Sequence, residues 1–338
     1  ISRPELFGED NWQEWFARLR KEDPVHYCRD SSNGAYWSVT RHADIMEVDT
    51  NAEVFSSEVG GISIADPNDS DENTVKIDSF ISTDPPRHAA QRITVSPSVA
   101  PANLARMESL IRERVIDILE HLPVGETFNW VDKVSIELTA RMLATLFDFP
   151  YEDRRKLVYW SDITTNVPNI SGDEDIDMAA RQRALQECAT AFIQLWHQRA
   201  AEEPKFDLIS MLAHGENTRD MIDNPALFLG NILLLIVGGN DTTRNSISAG
   251  VLALNRYPEE YQKLRDDPSL IPNMVSEIIR WQSPVIHMRR TATRDYVLNG
   301  KHIKKGDKVV MWYLSGNRDE SVFPEADQLI IDRKNARH

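Results

Sequence analysis

A chain of 338 residues with 41% hydrophobic content is long enough to bury a large core, as one big domain or two smaller ones. Its formal charge is −15, from 38 lysines and arginines against 53 aspartates and glutamates, which excludes a general affinity for nucleic acid or anionic membranes. The longest apolar stretch, Leu229 to Val237, is interrupted by Gly230 and Asn231 and is too short to span a bilayer, and no signal peptide or N-terminal anchor is visible, so a cytoplasmic protein without a membrane span is expected. The chain starts at Ile1 rather than methionine and ends at His338 without an obvious final element, so a fragment is expected. Cys28 and Cys188 are far apart and form no metal-ligand spacing; both are expected to be reduced packing or surface thiols.

No internal repeat and no dividing linker is visible, so residues 1–338 are expected to form a single domain. Asn11 with Glu14 reads as a capping box opening a helix through Arg20. Strands around Val25–Tyr27 and Tyr36–Val39 flank a turn at Asn33-Gly34, and a helix covers about Ala43–Asp49. Gly60 to Ser79 is polar, acidic and aperiodic, a long loop of the kind that is functional or disordered. From Asp84 to Trp281 the pattern is mainly helical, broken by prolines such as Pro123, Pro150, Pro168 and Pro204. The longest helix runs from Pro225 to Tyr257 and, at 1.5 Å per residue, is roughly 50 Å long. After Pro284 strands follow: Asn299-Gly300 closes a hairpin between Tyr296–Leu298 and His302–Ile303, and Lys308–Leu314 reads as a buried strand. The fold class is therefore mainly α with a smaller β region, its sheet built from both ends of the chain.

The centre of the long helix reads G-G-N-D-T-T, Gly238 to Thr243. Two glycines there cost about 1 kcal/mol each relative to alanine. They permit close approach of a flat ligand and a local opening of the hydrogen-bond ladder, where the following aspartate and threonine can meet water or dioxygen. Gly238 and Thr242 share a face that extends back through Leu235, Leu234 and Asn231. The plain alternative is a buried helix with a glycine contact to a neighbour. The run lacks the lysine of a phosphate-binding loop, and neither H-E-x-x-H nor G-x-G-x-x-G occurs.

Three more segments occur in order: Asp84-Pro85-Pro86-Arg87-His88 with Arg92 four residues beyond His88; Glu277-Ile278-Ile279-Arg280, an E-x-x-R on a helix; and Arg290-Thr291-Ala292-Thr293, followed by Asn317-Arg318-Asp319 and Phe323-Pro324. Each alone is weak, since most E-x-x-R pairs are surface salt bridges of little worth. Together they resemble the cytochrome P-450 superfamily of haem-thiolate monooxygenases across essentially the whole chain. The runs Gly238–Pro258 and His287–Phe323 are most similar to its soluble bacterial alkane-hydroxylating family, which acts on alkane or fatty-acid chain ends.

The resemblance implies a cytochrome P-450 fold, truncated at its C-terminus, and haem b (iron protoporphyrin IX) as cofactor. Gly238 and Gly239 would pass over one haem face. Thr242 would donate a hydrogen bond to bound dioxygen or order the water that protonates it, and Asp241 would feed protons inward from solvent, because O–O cleavage needs two protons while bulk water is kept away. His88, Arg92 and Arg290 match the positions that hold the haem propionates, with Arg289 as a competing candidate. Glu277 and Arg280 would form a structural buried charge network with Arg333. Leu234, Leu235, Ile62, Ile64, Val285 and Ile286 would line the substrate pocket, although such residues are equally ordinary core. A narrow aliphatic pocket would admit only a chain end, reading chain length at roughly 0.8 kcal/mol per buried methylene.

The expected activity is insertion of one atom of O₂ into a terminal C–H bond of a medium-chain n-alkane or related aliphatic chain. A ferredoxin and a ferredoxin reductase would supply electrons, and the protein would be a monomer. Terpenes, sterols or other bulky apolar substrates are the rival within the superfamily. A non-catalytic haem or hydrophobic-ligand binding protein is the rival of another class. The resemblance puts the iron-binding cysteine beyond His338, so no metal ligand is expected within the chain and the fragment itself is expected to be inactive.

Overall fold

The computed structural model describes residues 1–66, 78–165, 178–336 and 338. The break expected at Pro168 and much of the loop expected over 60–79 lie outside them. The chain divides into two compact units, one of Ile1–Thr74, Ser82–Asp84 and Ala249–His338, the other of Val75–Ile81 and Pro85–Ser248.

The first unit carries the sheet. Strands β1 (Val25–Cys28), β2 (Tyr36–Val39), β3 (Phe55–Ser56), β4 (Met288–Ala292) and β7 (Lys308–Met311) order as β1-β2-β7-β4-β3, with β5 (Tyr296–Leu298) and β6 (Lys301–Ile303) as a separate hairpin. The central strand β7 pairs parallel with β2 and antiparallel with β4. Both its faces are covered: Val309 and Met311 pack with Val39, Val48 and Phe55, while Val310 packs with Phe16, Tyr36 and Trp312. That is why its apolar run does not alternate. The hairpin turns at Asn299 (φ 45°) and Gly300 (φ 75°), as the Asn-Gly pair requires.

Two expectations are corrected here, and one strand is new. The capping box does not form: the helix is Gln13–Glu22, and Asn11 Nδ2 bonds Glu9 Oε2 at 3.1 Å. Asp10 organises this turn instead, its Oδ1 accepting from Trp12 Nε1 at 3.1 Å and Gln13 Nε2 at 2.7 Å. The strand from Lys308 stops at Met311, because the Ser315 and Gly316 amides turn back onto the Trp312 carbonyl in a short helix, Tyr313–Gly316. The two-residue strand β3 carried too little pattern to be foreseen.

The second unit is helical: Pro101–Glu120, a π-helical turn Val131–Ile136 leading into Glu137–Phe147, then Arg154–Thr165, Met178–Ala201, Leu208–His214 and the long helix Pro225–Arg256 up to Ser248. Its core gathers Leu143, Phe147, Trp160, Phe192, Trp196, Phe228, Ile232, Leu233 and Ile236. By length and composition the long helix could cross a membrane, but this core accounts for one of its apolar faces.

Candidate active site

The two adjacent glycines of the long helix do different things. A Cβ on Gly239 would lie 2.7 Å from Leu143 Cδ2, so only a hydrogen there lets helix Glu137–Phe147 pack this closely. A Cβ on Gly238 would meet nothing within 4 Å, and this glycine is exposed. The packing reading holds for one, and the open-face reading for the other.

The ladder opening that paired glycines permit is not present, for the segment is α-helical without interruption. Thr242 Oγ1 instead donates to the Gly238 carbonyl at 3.1 Å, and Ser246 Oγ to the Thr242 carbonyl at 2.8 Å. With its one hydrogen given to the helix, the Thr242 hydroxyl presents lone pairs, and acts as an acceptor on the open face.

Asp241 lies on a different face of the helix. Its Oδ1 accepts from Ser161 Oγ at 3.2 Å and Asn240 Nδ2 at 3.2 Å, and lies 2.8 Å from Arg244 Nη2. The same nitrogen is 2.7 Å from Asp162 Oδ1, whose side chain is 47% exposed, whereas those of Asp241 and Arg244 are 17% exposed. A polar connection thus leads from solvent to a half-buried carboxyl. Burial raises the Asp241 pKa above the usual carboxylate range, against the pull of Arg244. Ser161, Asp162 and Arg244 were not singled out in the sequence; only the D-x-x-R spacing of 241 and 244 offered a signal.

On helix Arg87–Val95, His88 is half-buried with its ring 6.3 Å from Phe80, and Arg92 is exposed and makes no ion pair with a described residue. In the first unit, Arg289 and Arg290 project from opposite faces of β4. Arg289 is buried, 2.7 Å from Asp66 Oδ1, while Arg290 reaches Asp49 Oδ1 at 2.8 Å. A flat apolar cofactor with carboxylates at its edge fits the residues of the second unit. Gly238 leaves space on a helix whose most apolar stretch is only 44% buried, and Arg92 offers a cation without an internal partner among the described residues. Arg290 has its own carboxylate and would have to share it.

Glu277 and Arg280 are fully buried. Arg280 Nε and Nη2 grip the two Glu277 oxygens at 2.7 and 2.8 Å, Arg333 Nε adds 3.1 Å contacts to both, and the Ile330 amide donates to Oε1 at 3.0 Å. The remaining Arg280 hydrogens reach carbonyls of Asn317, Ala326 and Gln328. Arg318, not foreseen, is a further buried cation that donates to the Trp281 carbonyl at 2.6 Å; burial, with Arg280 adding repulsion, pushes it down to about 10. These contacts clamp the segment 317–333 onto helix Ile271–Gln282 and leave no room for chemistry.

Of the apolar candidates, Ile64 and Ile286 pack against Phe16, Tyr36 and Trp312, and Leu235 packs against the helical core. Leu234, Ile62 and Val285 are half-buried and belong to none of the apolar clusters. Cys188 is fully buried and burial pushes its thiol pKa far up; Cys28 is half-buried at the end of β1.

Residues 174–333 match the family model described as cytochrome P450. The chain is 36% identical over 351 residues to linalool 8-monooxygenase of Pseudomonas putida, an alignment covering all of this chain and 84% of that protein. Among solved structures it superimposes on cytochrome P450-153 from Novosphingobium aromaticivorans with a TM-score of 0.91 at 45% identity, covering 99% of this chain and 83% of that one. CYP153D17 from a Sphingomonas species gives 0.92 at 47% identity with the same coverage.

Proposed function

This chain belongs to the cytochrome P450 family, a family of monooxygenases, and from that premise we propose that it hydroxylates the terminal C–H bond of medium-chain n-alkanes or related aliphatic chains. The observation that carries the reading is the division of labour around Gly238: an open helix face bearing Thr242, and beside it a half-buried Asp241 linked to solvent through Arg244 and Asp162.

Haem b is the proposed cofactor, and when bound it supplies the redox chemistry that activates dioxygen for C–H cleavage. Gly238 and the apolar face around Leu234 would lie against it. His88 and Arg92 would hold its carboxylates, with Arg290 as a third cation. Neither Cys28 nor Cys188 is placed to be its thiolate ligand. Asp241, linked to solvent through Arg244 and Asp162, carries a proton toward the open face, where Thr242 Oγ1, an acceptor, orders the water that relays it. Burial serves this role, because a carboxyl whose pKa is raised is protonated more of the time near neutrality and so has a proton to pass on. Residues 1–338 would form part of one catalytic domain of a monomeric cytoplasmic protein, with electrons from a ferredoxin and its reductase.

Terminal hydroxylation demands a narrow approach, since methyl C–H bonds are the strongest in an alkane. Half-buried Leu234 is proposed to line that approach. A terpene substrate is the second reading, favoured by the 36% identity to linalool 8-monooxygenase. Product analysis with octane, dodecanoate and linalool separates the two. Oxidation of octane to 1-octanol is expected, and turnover of linalool alone overturns the alkane reading.

A further inference from the structure

Thr139 and Asn240 are buried on facing helices, and neither has a part in the reading above. Asn240 Oδ1 accepts from Thr139 Oγ1 at 2.8 Å, while its Nδ2 lies 3.2 Å from Asp241 Oδ1. The Thr139 hydroxyl sits one turn beyond the π-helical segment Val131–Ile136, with the Ser135 and Ile136 carbonyls each 3.1 Å away, farther than Asn240. Ser135 Oγ in turn meets Ser248 Oγ at 2.9 Å, and Ser248 bonds the Arg244 carbonyl at 2.9 Å. The back of the long helix is thus tied to its neighbour by a buried polar string, in a region where every unpaired polar atom is costly.

The two ends of an amide have nearly the same shape and opposite polarity. Beside a carboxylate the NH₂ end attracts and the carbonyl end repels, so orientation matters. A hydroxyl hydrogen aimed at Oδ1 selects one orientation. We propose that Thr139 and Asn240 are positioning residues for Asp241: the Thr139 hydroxyl fixes the Asn240 amide so that Nδ2 holds Asp241 Oδ1, which leaves Oδ2 as the oxygen that carries the proton. The proposal rests on the reading of Asp241 as a proton carrier.

The geometry around the carboxyl supports this division between its oxygens. Arg244, Ser161 and Asn240 all converge on Oδ1, and the Thr165 side chain also reaches the carboxyl. The groups facing Asp241 are Ser161, Asp162 and Thr165 from helix Arg154–Thr165, Arg244 and Asn240 from its own helix, and Thr139 behind Asn240. Only Asp162 and Arg244 among them bear charge, and both are bound to one another, so their contribution is common to all variants at Thr139 and Asn240.

The test follows the infrared carboxyl band that Asp241→Asn removes, titrated with pH, alongside product formed per oxygen consumed by the haem-loaded enzyme. Asn240→Leu removes a donor to the ionised form and should raise the midpoint by about one pH unit. Thr139→Val, nearly isosteric, should shift it in the same direction by less, and Thr139→Ser should return it to the wild-type value. Coupling should fall in the same order. If Asn240→Leu fails to fold, the Thr139 pair still decides. An unshifted midpoint in a stably folded Thr139→Val overturns the positioning role. Failure of the underlying reading looks different: Asp241→Asn would then leave coupling at its wild-type level, and the proposal would fall with it.

Discussion

Glu277 and Asp241 each face an arginine three positions further along the same helix, Arg280 and Arg244, and the two pairs end in opposite situations. Glu277 has both oxygens occupied, by Arg280, Arg333 and a backbone amide, and the pair is cut off from water. Asp241 is held at Oδ1 by an arginine that also serves the exposed Asp162. Spacing on a helix therefore does not tell a scaffold from a working group. What separates them is whether the pair reaches solvent.

The comparison breaks first on stability. Glu277→Gln leaves Arg280 and Arg333 buried without their shared anion and is expected to cost about 3–5 kcal/mol in denaturant unfolding. The corresponding Asp241→Asn should stabilise the fold at neutral pH. A carboxyl whose pKa is raised in the folded state lowers stability once pH passes its unfolded value, and the amide removes that burden. Equal effects of the two swaps would erase the distinction.

Thr242→Ala should leave unfolding nearly unchanged and uncouple the enzyme. Positioned proton transfer contributes about 10²–10⁴-fold, so product per oxygen should drop by an order of magnitude or more while peroxide rises. Oxygen electrode and product measurements on one sample check it.

A second pH effect lies outside both pairs. The His287 ring lies tilted against Trp312, 4.8 Å between ring centroids; its Nδ1 is buried without a partner among the described residues, and burial pushes it down to about 4. The folded state thus keeps the ring neutral where the unfolded chain protonates it. Stability is fully present above pH 6.5 and declines as pH falls toward 4, by about 1.4 kcal/mol per unit at most. His287→Phe should flatten that slope in unfolding curves between those limits, whereas an unchanged slope would assign it elsewhere.

The smallest expected effects come from the two glycines. Gly239→Ala forces a methyl against Leu143 and should cost about 1–3 kcal/mol. Gly238→Ala meets open space and should gain up to about 1 kcal/mol from helix propensity in the haem-free protein, while weakening haem retention. Similar losses for both would contradict the assignment of their faces.

Much of this was legible in the sequence because it depends on strong local rules. The proline at the start of the long helix, the Asn299-Gly300 turn and the apolar periods place the elements. The glycine pair marks the centre of the site without saying which glycine does what, since that depends on Leu143, nearly a hundred residues away in the chain. Arg289 and Arg290 are indistinguishable by type; only the alternation of β4 and the partners Asp66 and Asp49 separate them. Asn11 and Glu14 fit a capping pattern, but Asp10 competes for the same turn. Ser161, Thr139 and Asn240 carry no motif of their own, and their meaning arises from helices brought together by tertiary packing.

The most direct test of the central claim is turnover of octane under ¹⁸O₂ by the haem-loaded enzyme and by its Asp241→Asn variant, reading labelled 1-octanol against peroxide. One ¹⁸O atom in 1-octanol from the wild type, with a collapse of that product in the variant, is the predicted result. Absence of labelled 1-octanol from the wild type, or equal yields from the two proteins, would contradict it.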